Sequence, residues 1–101
     1  MLTEDSTRKL VRKAMKKLGH VATLKQLIEE LKQAGETVSE GTVRNVCNGC
    51  SVNGTKSHNA HRRFGEYDPE FHFLLKIAPS AFALPDPALV DMETLFKKNW
   101  G

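Results

Sequence analysis

Acidic side chains are missing from one long stretch of this 101-residue sequence. Between Gly41 and Gly65 there is no Asp or Glu, while Arg44, Lys56, Arg62 and Arg63 all fall inside. A span free of negative charge and studded with cations suits a polyanionic partner. Other absences narrow the class. No apolar run approaches the roughly 18 residues of a membrane span. The opening residues, MLTEDSTRKL, lack the apolar segment of a secretory signal. Cysteine is scarce, with two residues three positions apart, which fits a reducing compartment better than a disulfide scaffold. A soluble, cytoplasmic protein without a membrane partner is expected. There is no Gly-rich phosphate loop, and no carboxylate pair stands beside the histidines of the basic stretch, so no enzyme and no catalytic residue are expected. No repeat or linker divides the chain, which reads as one domain.

What is present is ordinary in bulk. The chain is 40% apolar and 27% charged, with a net charge of +3 and a pI of about 9.0. That balance permits nucleic-acid binding without demanding it, so the local distribution of charge carries the argument. Thr3 can cap a first helix whose apolar stripe is Leu10, Val11, Ala14, Met15 and Leu18, with Gly19 to end it. Its other face is basic: Arg8, Lys9, Arg12, Lys13, Lys16 and Lys17. Such a face is most simply solvated, and otherwise meets phosphate or another anionic partner. His20–Ala22 reads as a short extended strand. Thr23 and Gln26 have capping-box spacing ahead of a second helix with Leu24, Leu27, Ile28 and Leu31, closed by Gly35.

The stretch VSEGTVRNVCNGCSVNG, from Val38 to Gly54, reads as a third helix. Ser39 is its cap and Glu40 suits the positive end of its dipole. Val38 and Val43 have the spacing of a hydrophobic staple. Val43, Val46, Cys47 and Cys50 fall on one buried face, and Thr42, Arg44, Asn45 and Asn48 on the other. Arginine, asparagine and hydroxyl residues are what a helix needs to read base edges in a major groove. Ser51 to Asp68 has no helical or strand period and reads as a long basic loop. Within it Ser51, Asn53, Thr55, Lys56, Ser57, His58, Arg62 and Arg63 would hold phosphates or enter the adjoining minor groove. Phe71, Phe73, Leu75 and Ile77 then alternate with His72, Leu74 and Lys76 as a half-buried strand. Pro79-Ser80 is a turn, and Ala81–Leu84 a return strand. Asp86-Pro87 starts a last helix with Leu89, Val90, Met92, Leu95 and Phe96, ending near Trp100.

Three helices followed by a two-stranded wing give the order of a winged helix-turn-helix. The expected class is α+β and mainly helical, with residues 1–85 as the core and 86–101 as an extra C-terminal helix. The run Cys50-Ser51-Val52-Asn53, the basic loop with His58, Arg62 and Arg63, and the segments FHFLLKI and AFALPDP resemble winged-helix modules of restriction-modification systems. Those modules occur alone or appended to nucleases. The resemblance spans roughly residues 21–87 and implies double-stranded DNA binding through helix 39–50 and loop 51–63, with sensing of base modification or transcriptional control as possible uses. It departs at Ala78-Pro79-Ser80, where such modules often carry a glycine- and arginine-rich wing tip.

Other readings stand beside this one. Cys47, Cys50, His58 and His61 have the spacing C-x2-C-x7-H-x2-H, which could close a zinc site. The intervals are shorter than in a standard finger, and both cysteines fall on the apolar face, so buried thiols and no cofactor are expected. Glu66, Asp68, Glu70 and His72 could suggest a nuclease metal site, but a solvated loop-to-strand junction is the commoner outcome. Phe64 could wedge into a base step, although such a residue more often anchors its loop. The last helix could serve a homodimer or a docked nuclease or regulator if Leu89, Met92 and Phe96 were exposed, and otherwise packs on the first helix.

Overall fold

The structure, a computed structural model, describes residues 4–53 and 67–100. The expected cap Thr3 and the loop residues Thr55, Lys56, Ser57, His58, His61, Arg62, Arg63, Phe64 and Glu66 lie outside the described residues, as does the Trp100 side chain. Four helices and a three-stranded antiparallel sheet make up the described α+β domain. None of these helices is long and apolar enough to cross a membrane.

The first three helices follow local rules. Helix α1, Glu4–Lys17, buries Val11, Ala14 and Met15. Its end is a Schellman turn: Gly19 N–H donates to Lys16 O, and His20 N–H to Met15 O at 2.8 Å. Gly19 has φ 87° and His20 φ 71°. Strand β1 therefore starts one residue later than expected, at Val21–Thr23. Thr23 ends β1 and caps helix α2, Leu24–Gln33, with the full capping box. Its N–H donates to Gln26 Oε1 at 2.8 Å, and Gln26 N–H returns to Thr23 Oγ1 at 3.1 Å. Gly35, φ 79°, ends α2 through the same turn, with Glu36 N–H on Leu31 O at 3.0 Å. Helix α3, Glu40–Cys50, has Ser39 as its cap.

The hairpin of β2, Leu75–Ala78, and β3, Ala81–Ala83, gains β1 as a third strand in the order β1-β3-β2. Ala22 pairs with Phe82, and Ser80 O at the hairpin tip accepts from Leu24 N–H at 2.7 Å. Phe82, on the central strand and 1% exposed, sits in one core with Val11, Met15, Leu27, Val43 and Cys47. A second, smaller cluster gathers Val52, Met92 and Phe96, with Tyr67 and Leu75 packed against it.

Two expectations are corrected. The strict alternation over residues 71–77 does not hold: His72, Phe73 and Leu74 are all buried in succession, and Ile77 is 51% exposed. The strand starts at Leu75, because the chain before it runs between the two clusters and is covered on both sides. The last helix does not start at Asp86. That residue closes a turn, its carboxylate accepting from Ala88 N–H at 2.9 Å, while Leu89 and Val90 N–H both donate to its carbonyl. Helix α4 is Met92–Trp100, capped by Asp91, which accepts from Thr94 N–H at 3.1 Å and Thr94 Oγ1 at 2.7 Å. Met92 and Phe96 then lie one helical turn apart on the buried side.

This placement fixes what α4 contributes. Phe96→Ala should lower the unfolding free energy by about 3–5 kcal/mol. Leu89→Ser, at a position 84% exposed, should stay within about 0.5 kcal/mol of the parent. Urea titration followed by circular dichroism checks both, and a large loss from Leu89→Ser would restore the longer helix.

Candidate nucleic-acid interface

Helix α3 shows two characters along its length. Its first turns are locked at the cap, where Thr42 N–H donates to Ser39 Oγ at 3.1 Å and the two hydroxyls are 2.8 Å apart. Thr42 is half-buried, while Arg44 and Asn45 are exposed. The last turn is buried on all sides: Val46, Cys47, Asn48, Gly49 and Cys50 are enclosed.

Asn48 and Ser51 therefore leave the expected base- and phosphate-reading set. Asn48 is 6% exposed. Its amide donates to Arg44 O at 3.0 Å, and its carbonyl accepts from Lys76 Nζ at 2.9 Å. Helical phase alone puts Asn48 beside Arg44, but the Lys76 side chain reaches it from β2. Ser51 is fully buried, its hydroxyl donating to Cys47 O at 2.7 Å.

Nor do residues 51–53 begin a loop. Leu74 N–H donates to Cys50 O at 3.1 Å and Val52 N–H to Leu74 O at 2.9 Å, with a parallel bridge between Ser51 and Leu74. Asn53 continues this pairing with its side chain. Its amide donates to Lys76 O and its carbonyl accepts from Lys76 N–H, each at 2.8 Å. A primary amide presents the same donor and acceptor as a peptide, so Asn53 stands in for backbone at the sheet edge. One donor and one acceptor of the amide are used there, and the residue is exposed with its second N–H left over.

Lys76 is the residue that sequence reasoning missed. Its ammonium has three donors, one spent on Asn48, and it places a cation beside α3 from the strand side. The one signal for it was a single charge inside the apolar run FHFLLKI.

The basic face of α1 is only partly solvated. The Arg8 guanidinium lies 3.6 Å from the centre of the Phe71 ring and that of Arg12 5.3 Å from Phe73. Lys17 pairs with Glu30 at 2.6 Å. Lys9, Lys13 and Lys16 are exposed.

Neither cysteine is in a disulfide, and both lie in the main core, Cys47 at 0% and Cys50 at 3% exposure. Burial, reinforced by the neighbouring Cys50, pushes the Cys47 thiol far up, which opposes the thiolate that zinc requires. Among the described residues no three His, Cys, Asp or Glu side chains converge as metal ligands; His58 and His61 lie outside them. The acidic residues before β2 do not gather around His72 either. Asp68 turns its carboxylate to Glu70 N–H at 3.0 Å. Its own N–H donates to His72 Nδ1 at 3.0 Å, which sets that nitrogen as an acceptor. His72 is 1% exposed, its ring tilted against Phe96 with centroids 4.2 Å apart and stacked 5.9 Å from Tyr67. It is a core side chain, not a solvated junction residue.

Comparison of the chain with protein-family models, curated proteins and solved structures finds no match.

His72 gives the domain an acid-sensitive point. Burial lowers its pKa below the ordinary value of 6.5, only partly opposed by Asp68. The unfolded chain therefore binds a proton that the folded chain refuses, and stability rises with pH across that window. The stabilisation is complete above pH 6.5 and is lost as pH falls toward the lowered folded value. His72→Phe should flatten the dependence of the urea midpoint on pH just below 6.5. The decline at lower pH that follows from the depressed Asp91 carboxyl should remain. An unchanged slope just below pH 6.5 in His72→Phe would exclude His72 as its source.

Proposed function

We propose that this chain is a winged helix-turn-helix module that binds double-stranded DNA. The observation that carries the reading is the division of α3 into a buried C-terminal half and an outward N-terminal half bearing Arg44 and Asn45. Recognition helices read base edges mainly with their N-terminal residues. The order helix, strand, helix, helix, hairpin, and the acid-free span from Gly41 to Gly65, support it further.

Arg44 suits a bidentate contact to guanine and Asn45 one to adenine. Thr42, with its hydroxyl engaged at the cap, would add a methyl contact. Lys76 would grip a phosphate at the other end of the helix. Lys56, Ser57, His58, Arg62 and Arg63 would extend phosphate or minor-groove contacts along the next stretch of chain. The resemblance to restriction-modification modules makes modified bases a target class to test. Docking through the last helix loses ground, since Met92 and Phe96 are 5% and 2% exposed within their own chain.

Fluorescence anisotropy with duplex DNA across a salt series tests the proposal, followed by site selection on plain and modified DNA. Arg44→Ala should relax sequence preference and cost roughly 1–3 kcal/mol on the selected site. Lys56→Ala or Arg62→Ala should weaken all sequences alike and reduce the salt slope by about one unit each. Asn48→Ala should lower stability by about 1–3 kcal/mol, since Lys76 loses a buried acceptor, without altering base preference. Absence of salt-dependent binding would end the DNA reading.

A further inference from the structure

A cavity of about 560 Å3 opens between the second half of α1 and the chain that leads from β3 into α4. That volume lies within the roughly 300–1,000 Å3 of small-molecule sites. None of its described lining residues comes from α3, so it is separate from the surface assigned to DNA.

Its walls divide by chemistry. Phe73, Leu84 and Met92 provide an apolar floor, and each is buried in the protein core beneath. Arg12, Lys16 and His20 stand on one side, with Asp86 as the carboxylate among the lining residues.

Two features separate this cavity from an ordinary surface crease. The Nε atom of Arg12 is buried and has no hydrogen-bond partner among the described residues. That atom is closed off from the cavity, so the terminal guanidinium nitrogens are the donors left to meet a ligand. Its group is held in place 5.3 Å from the centre of the Phe73 ring. His20 is the second feature. Its φ of 71° is uncommon for a residue with a side chain, and glycine would adopt it without strain. The conformation is pinned on both sides, by His20 N–H on Met15 O at 2.8 Å and by Leu84 N–H on His20 O at 2.7 Å. The position nevertheless carries an imidazole, and that imidazole lines the cavity.

We propose that the cavity binds a small aromatic carboxylate. The ring would lie on Phe73, Leu84 and Met92, and the carboxylate would accept from Arg12 and Lys16. Arg12 and Lys16 outnumber Asp86 by one, which favours a single negative charge over two. Guanidinium suits the carboxylate because its fork matches two oxygens in one plane.

The test is a titration of the full chain with 2-naphthoate, read from backbone amide chemical shifts. Saturable shifts at Arg12, His20, Phe73 and Leu84 are expected. The neutral 2-naphthamide should bind about tenfold more weakly, the size of one charge-assisted hydrogen bond. Arg12→Gln should weaken 2-naphthoate by a similar factor. If that variant does not fold, Lys16→Gln, at an exposed position, should still weaken it severalfold. Shifts that never saturate, shifts centred on other residues, equal affinity for the amide, or full affinity in Lys16→Gln would each overturn the proposal. Tighter binding of 2-naphthyl phosphate would overturn the choice of a singly charged ligand.

Discussion

Lys76 ties together α3, the segment after it and the hairpin. Its ammonium reaches Asn48 at 2.9 Å, and its backbone N–H and carbonyl are both taken by the Asn53 side chain at 2.8 Å. Beside it, Leu74 exchanges backbone bonds with Cys50 and Val52. A bond from a charged donor contributes roughly 1.5–3 kcal/mol and neutral ones about 0.5–1.5 kcal/mol each. The larger consequence is geometric. Five bonds over six residues set the direction in which the chain leaves α3, and they tie its end to Leu74 and Lys76. The outward half of α3 is what remains available to a partner.

The same short pairing joins the two apolar clusters. Cys50 and Leu74 belong to the main core, whereas Val52 is buried in the second cluster and Leu75 packs against it. His72 packs its ring, tilted, against Phe96 of α4 at 4.2 Å, and the next residue, Phe73, is part of the main core. Helix α4 is thus seated on the segment that positions α3. Loosening α4 removes packing from Val52 and Leu75, on either side of the tie. Disturbance at His72 or Phe96 therefore bears on the posture of α3 without touching its exposed face.

The helices were legible in the sequence because their signals are local. Thr23 with Gln26, Ser39 with Thr42, and the glycines at 19 and 35 act over three to five residues, and the apolar stripes that follow them become the core face. Apart from the late start of β1, the failures are cases where a distant element supplied the second surface. Asn48 has the phase of an exposed residue, yet it is buried and bonded by a strand residue 28 positions later. Asn53 looks like a loop polar residue, and only a partner 23 positions away turns its amide into a strand edge. Asp86 and Asp91 are equivalent as caps on local grounds. The second cluster decides between them, because a helix begun at Asp91 places Met92 and Phe96 against Val52 and Tyr67. The residues from Gly54 to Glu66 offered no periodic signal, and most of the basic loop's candidate contacts rest on sequence alone.

The alternating aromatics of FHF also had a cause outside the strand. Arg8 and Arg12 are one turn apart on α1, a rise of about 6 Å. Phe71 and Phe73 are two residues apart, which spans roughly 7 Å when the chain is extended. The two spacings match, and each guanidinium covers one ring. What reads as core-and-solvent alternation is a register between a helix and a crossing segment. This also sorts the basic face of α1 by residue type. A planar, weakly hydrated guanidinium stacks on aromatic faces, whereas an ammonium keeps its water. Arginine stands at the two positions that meet a ring. Lysine stands at 9, 13 and 16, which face solvent. The first helix therefore uses half of its charge to hold the fold and leaves Lys9, Lys13 and Lys16 exposed, where they add to the positive field around the molecule.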